Sequence, residues 1–501
     1  MKYKKSLTNI AVGVFTQGCT LLLGILIPRL FILGYGSEIN GLMSTINQFF
    51  GYAALLEAGV GLATMQALYK PLAFDDRKSV SSVLSATKRY YDKVSFWYLL
   101  VVIAFAAIYP LCVKVSLSYP VVFLLILFQG LSGVVNFYFQ AKMKILLEAD
   151  GRKYVVANAN FVVYLLTSAA KILIVTFGQS VMWVQVSVFA ISLLQMVFYS
   201  LYFKKKYGWV DLKAEPDYEA LKQKNYFLVH QISGLIFSGT DILIVSIFCG
   251  LEMASVYTVY NLVFTALSSI STSFFDGFGF LLGQTFNRDR EEHLKLHDAV
   301  ENYYSAFLYG LVFVALLLIE PFMRIYSSGM SDTNYVLPAL GLLFCIKQFL
   351  SDGRAVTGNL INIAQHARQT VSRTIIESAI NLVASLVFVN IWGIYGVILG
   401  TICALLYRTN DIIIYANRKI LNRSPWKSYR ILLVNAMLFA GVILFNHFVA
   451  LQITGIWSFI GYGCLCFAAV MLLVMTVNSI CNPKAFHYVC GKLRGMFRRD
   501  T

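Results

Sequence analysis

Arg29, Glu57, Lys171, Asp241, Asp276, Lys347 and Glu377 each interrupt an apolar run long enough to cross a lipid bilayer. A charge inside hydrocarbon costs roughly 2.5–3.5 kcal/mol on the lenient insertion scale, so each needs a partner, a wet cavity or a ligand. The chemistry open to them is recognition of charge. Arg29, Lys171 and Lys347, with Arg354 at the end of its run, could take an anion through charge-assisted hydrogen bonds. Glu57, Asp241, Asp276 and Glu377 could bind a cation or exchange a proton.

Plainer readings stand beside these. Arg29 and Lys171 can snorkel toward the membrane surface. Arg408 and Asp411, three residues apart on one helix, read as a local ion pair. Asp352 and Arg354 read as interfacial, and His447 as incidental. Glu57 and Asp276 could each brace a surface helix. Asp241 has small neighbours in Gly239 and Thr240, which allow close helix approach or a water-filled gap. It could change protonation there, or be held in a permanent ion pair, for example with Lys347.

Known enzymatic motifs are missing: the sequence has no GxSxG, no HExxH, no Walker sequence and no paired carboxylates in a water-exposed loop. No catalytic residue is assigned, and the chain is read as a non-enzyme. The nine cysteines are scattered without a CxxC pair, so neither a zinc site nor a disulfide framework follows. No metal or cofactor is expected.

The elements that must carry these charges follow from composition. Of 501 residues, 58% are hydrophobic and 13% charged, with a mean hydropathy of +0.68. Soluble domains carry about a quarter charged residues, so these charges are too few to coat two or three of them. The excess must face lipid, where only helices and closed barrels satisfy their own backbone. The apolar runs are continuous rather than alternating, which selects helices. The fold class is all-α, a polytopic membrane protein of about fourteen spans. These fall at 8–33, 40–66, 95–113, 119–141, 155–177, 180–203, 230–249, 254–283, 303–324, 335–353, 371–392, 394–416, 430–450 and 455–478. The segments 75–94 and 287–304 read as amphipathic helices lying on the membrane surface.

Lys and Arg test the count. They gather in every second connecting segment or at its border; the exceptions are Lys114 and Arg324 at the other loops and Arg29, Lys171, Lys347 and Arg408 within spans. The positive-inside bias therefore places both termini in the cytoplasm. A net charge of +16 spread over separate loops marks membrane orientation and gives no nucleic-acid patch. One common shift lays Ser118-Tyr119 on Asn334-Tyr335, Phe128 on Phe344 and Gly151-Arg152 on Ala367-Arg368. A shift of six spans keeps orientation, which implies parallel repeats. The organisation expected is a six-helix lobe at 1–203, a cytoplasmic linker at 204–229, a second six-helix lobe at 230–416, and two further helices with a basic tail at 417–501.

The stretch IPRLFILGYGSEINGLMSTINQFFGYAALLEAGVGLATMQALYKPLA, from Ile27, resembles the first two helices of bacterial polysaccharide flippases, and SDGRAVTGNLINIAQHARQTVSRTIIESAINLV, from Ser351, looks like the same proteins. They form part of the multidrug/oligosaccharidyl-lipid/polysaccharide exporter superfamily, and the likeness in plan covers essentially the whole chain. The resemblance implies export of undecaprenyl-diphosphate-linked oligosaccharide across the bacterial cytoplasmic membrane for surface polysaccharide biosynthesis. It implies alternating access between two lobes and a cationic cavity, with which Arg29, Lys171 and Lys347 agree. The implied partners are the lipid-linked substrate, membrane lipids, and polymerases and glycosyltransferases of the same pathway. An ion-coupled multidrug exporter stays open through Glu57, Asp241 and Glu377. A non-transporting membrane assembly protein would not need charges at mid-span. Cysteine labelling in intact cells should reach Gly36, Ser116 and Ser331 from outside and Ser81, Lys213 and Ser424 only from inside; a single reversal overturns the alternation beyond that site.

Overall fold

A computed structural model describes residues 2–57, 60–219, 239–364, 366–448, 453 and 455–497. The protein is an all-α, multi-pass membrane protein. In chain order the helices are α1 (Lys2–Tyr35), α2 (Ser37–Ala53), α3 (Val60–Ala73), α4 (Arg77–Cys112), α5 (Tyr119–Val135), α6 (Ala141–Ala149), α7 (Lys153–Thr176), α8 (Val181–Tyr207) and α9 (Gly239–Phe248). There follow α10 (Leu251–Arg288), α11 (Arg290–Tyr326), α12 (Pro338–Asp352), α13 (Ala355–Ile363), α14 (Ala367–Trp392), α15 (Ile394–Tyr415), α16 (Trp426–Phe448), α17 (Ile456–Cys481) and α18 (Pro483–Phe497). Eleven spans among the described residues are long and apolar enough to cross a membrane. The chain forms two compact units, Met1–Thr258 and Val259–Thr501.

Three expected spans are not among the eleven, each for a local reason. The run 40–66 is divided into α2, a 3-10 turn at Ala54–Glu57, and α3. The run 335–353 gives only the 15-residue α12, with Gly353 between it and α13. Most of 230–249 lies outside the described residues, and α9 is its described part.

The surface helices expected at 75–94 and 287–304 are corrected. Each is the first half of one continuous helix, α4 or α11, of 36 and 37 residues. No Gly or Pro separates the amphipathic part from the apolar part, so nothing breaks the hydrogen-bond ladder. At 1.5 Å per residue these helices are about 55 Å long, against roughly 30 Å of hydrocarbon. Asp76 starts α4: its carboxylate accepts from the Ser79 amide at 3.0 Å and from Ser79 Oγ at 2.6 Å. Those bonds hold the Asp76 carboxyl below the usual carboxylate range. Asp289 caps α11 likewise, accepting from Glu291 and Glu292 amides. Ser81 is buried in α4, so a label introduced there needs the exposed neighbour Lys78 as its companion.

In the first unit, Leu42, Ile46, Tyr91, Val102, Leu125 and Val184 join α2, α4, α5 and α8 in one core. The polar half of α4 packs Val83 and Leu84 on Leu68, Leu146, Tyr199 and Tyr207. In the second unit α11 is central, with 78% of its apolar window buried within the protein, while α7 of the first unit buries 6%. Most of α7 is therefore left uncovered by the rest of the protein. Helices α14 and α15 form a hairpin turned at Gly393, whose φ of 55° suits glycine. A Cβ on Gly400 would stand 2.3 Å from Ser385 Oγ, so the two helices meet almost backbone to backbone. Gly400→Leu should separate them at a cost of about 1–3 kcal/mol, seen as a lower thermal midpoint of the detergent-purified protein. An unchanged midpoint would mean that the hairpin does not depend on this approach.

Candidate functional site

Some of the embedded charges gather into a cluster in each unit, and others stand elsewhere. In the second unit, Glu377 of α14 sits between two guanidinium groups. Arg354, in the turn between α12 and α13, reaches Glu377 Oε1 at 2.5 Å, and Arg408 of α15 reaches Oε2 at 3.3 Å. Arg408 also pairs with Asp411 at 2.6 Å and donates to Thr374 Oγ1 at 3.1 Å. Arg373 completes the group by pairing with Asp411. Glu377 and Arg408 are buried, and Arg373 is the most exposed member. Among the described residues, three guanidinium groups share two carboxylates here. Each planar guanidinium has five N–H donors, more than these carboxylates use.

Nearby, Asp352 is buried and accepts from Gln348 at 2.9 Å. Asp352, at the end of α12, thus lies inside the unit rather than on its surface. The Arg408–Asp411 pair forms as its spacing suggests. Lys347 is half-buried, with its ammonium 5.3 Å from the centre of the Phe344 ring.

In the first unit, Glu57 ends the 3-10 turn between α2 and α3 and accepts from Tyr91 at 2.5 Å. Lys144 of α6 interacts electrostatically with Glu57, donates to Asn136 Oδ1 at 2.7 Å and lies 5.4 Å from the Tyr199 ring centre. Lys142 is buried and donates to the Tyr138 carbonyl. Asn136–Gln140 is a π-helical turn joining α5 to α6, a form often found at functional positions. Asp241 of α9 is buried and accepts from Tyr257 at 2.8 Å, while the adjacent Thr240 hydroxyl bonds Tyr52. Arg29 on α1 and Lys171 on α7 are half-buried. No ion pair among the described residues involves Lys171. Asp276 falls on α10, but its side chain lies outside the described residues.

The structure therefore joins Arg354 and Glu377, which are 23 residues apart, and adds Arg373, Lys142 and Lys144 to the residues singled out by sequence. These three stand at the edges of apolar runs, where they read as loop cations. Their neighbours in sequence, an Asn or Gln within an apolar run, were the available signal.

A further polar group lies where α11 begins. Arg423 donates to Asp298 and to Glu301, the latter at 3.1 Å; Lys427 reaches Asp298 at 3.2 Å. His297, Asp298 and Glu301 are close enough to share an ion, but cationic side chains already occupy both carboxylates. The basic tail forms α18, which docks on α11 through Lys492–Glu292 and Tyr488–Glu292 contacts at 2.7 Å.

Each unit is thus built of long apolar helices with a polar cluster among them. No protein-family model and no curated protein matches the chain. Among solved structures, the chain is similar to the lipid II flippase MurJ in an inward closed conformation, with TM-score 0.69 and 12% identity over 95% of this chain and all of that one. It is also similar to an inward-facing multidrug resistance MATE family transporter of the MOP superfamily, with TM-score 0.63 and 13% identity over 84% and 95% of the two chains. A MOP superfamily transporter from Pyrococcus furiosus gives TM-score 0.56 and 13% identity over 84% and 97%. The chain has the fold of these transporters.

Glu377→Gln should leave Arg354 without its carboxylate and lower stability by about 3–5 kcal/mol, the usual consequence of breaking a buried pair. The purified protein would show this as a lower thermal midpoint, partly recovered in the double variant Arg354→Met with Glu377→Leu. A single variant as stable as the parent would show that the pair does not hold these helices.

Proposed function

We infer that this chain is a transporter that flips undecaprenyl-diphosphate-linked oligosaccharide across the bacterial cytoplasmic membrane by alternating access. Surface polysaccharide biosynthesis is the process it would serve, with both termini in the cytoplasm and with polymerase and glycosyltransferases as neighbours in the pathway. The observation that carries this reading is the gathering of guanidinium groups inside the second unit. In the second unit three guanidiniums face two carboxylates, and Lys171 in the first takes part in no ion pair among the described residues. A diphosphate cannot cross hydrocarbon unaided, and shielded Arg and Lys bind it with directed, charge-assisted bonds. Arg29, Lys171, Lys347 and Arg354 are the proposed substrate contacts. Glu57, Asp241, Asp276 and Glu377 are the proposed coupling or gating groups. The fold shared with a lipid II flippase supports a lipid-linked cargo.

The fold shared with multidrug transporters favours a second reading, export of organic cations. That reading needs carboxylates available to the drug, whereas Glu377 and Asp411 are held by arginines. Proteoliposomes loaded with a lipid-linked oligosaccharide separate the two. Lys347→Gln should slow flipping by about tenfold, the loss of one charge-assisted contact, and Lys347→Arg should retain more. Normal flipping by both variants at equal protein levels would remove Lys347 from the substrate path. Pumping of an organic cation with no flipping would establish the second reading.

A further inference from the structure

Helices α7 and α8 run antiparallel, and between them lies an open apolar groove of about 420 Å³. Tyr154, Val162 and Leu166 line one side and Leu194 and Phe198 the other; all five are exposed on helices long and apolar enough to cross a membrane. In a bundle already sealed by its core, such a concavity is filled by a hydrocarbon chain or leaves van der Waals contacts unmade.

Three observations define the occupant. The first is length. Tyr154 to Leu166 covers about 18 Å of helix, close to half of the roughly 30 Å of bilayer hydrocarbon. That is one acyl chain in one leaflet, and a long polyisoprenoid would run well beyond it.

The second is charge at one end. The Tyr207 hydroxyl donates to Asp150 at 2.5 Å, which brings the end of α8 to the start of α7. Lys153 opens α7, and Lys204, Lys205 and Lys206 stand in the last turn of α8, all four exposed. The nearby Asp150 is engaged by Arg152 at 2.8 Å and does not neutralise them.

The third is an amide. Asn158 lines the groove, and its side chain has no hydrogen bond among the described residues. Gln195, the other amide there, donates to Asn160 at 2.9 Å. Asn158 stands about 8 Å along α7 from Lys153, on the inner side of the basic end, where a reaching lysine side chain leaves an ester carbonyl rather than the phosphate beside the amide.

The geometry points to a site for an acidic diacyl phospholipid: its phosphate lies at Lys153 and Lys204–Lys206, an ester carbonyl accepts from Asn158, and one acyl chain fills the groove. The site is a lateral lipid site on the first unit and stands whatever the transported cargo is.

Native mass spectrometry of the full chain, released from nanodiscs of mixed phosphatidylglycerol and phosphatidylcholine, tests it. The parent should retain phosphatidylglycerol in preference. Replacing Lys153, Lys204, Lys205 and Lys206 together by Gln should reduce that preference by about tenfold or more, since each basic residue contributes at the headgroup. Asn158→Leu should shorten retention of both lipids. Leu194→Trp, and independently Val162→Phe, should fill the groove and abolish retention, while Leu173→Trp, exposed on α7 outside the groove, should not. Equal retention of the two lipids by the parent overturns the proposal, as does parental retention in both groove-filling variants. Displacement of phosphatidylglycerol by equimolar undecaprenyl phosphate would assign the groove to an isoprenoid tail and also overturn it. A protein dimer lost on Leu194→Trp, with lipid retention unchanged, would assign it to a second copy.

Discussion

The carboxylate of Glu377 holds two guanidinium groups in a region where water does not compensate charge, and the second unit is arranged around that requirement. Arg354 arrives from the turn between α12 and α13, and Arg408 from α15. Neither can move away without stranding a charge, so three segments are fixed relative to α14. The close approach at Gly400 and the turn at Gly393 place α14 and α15 near enough for these bonds to form. A buried ion pair gives little net stability over an apolar substitute, but breaking one is costly. Its value here is positional: it keeps donor-rich guanidiniums inside the protein.

The first unit meets the same constraint by other means. Glu57 occupies the interruption between α2 and α3 and takes a phenol hydrogen bond from Tyr91. Lys144 is held by an amide and an aromatic ring as well as by the field of Glu57. These are softer partners than two guanidinium groups, and the segments that carry them depart from regular α geometry. Irregular backbone within a membrane persists only where protein surrounds it, and the core of α2, α4, α5 and α8 supplies that surrounding.

Much of this could be read from the chain itself. Continuous apolar runs are a strong signal, and the all-α membrane architecture follows from them. The Arg408–Asp411 pair is legible because both residues share one helix face. The bond from Arg354 to Glu377 is not, since it depends on how α12, α13 and α14 pack. The surface helices were misplaced because amphipathic periodicity gives a helix's sidedness but not where it ends. Only a breaker gives an end, and 77–97 and 290–304 contain neither Gly nor Pro. Lys142, Lys144 and Arg373 escaped for a related reason. A cation at the border of an apolar run looks solvated until neighbouring helices are seen to extend past it.

The π-helical turn at Asn136–Gln140 acts as a phase shifter. It adds one residue to a helix that otherwise advances about 100° per residue. Everything after it, including Lys142 and Lys144, is rotated by that step relative to the apolar face of α5. With the extra residue, Lys144 meets Asn136, Tyr199 and Glu57; on a regular helix it would be turned about a quarter of a revolution away. One residue of backbone slack therefore sets which face of α6 carries its charge, independently of the side chains themselves.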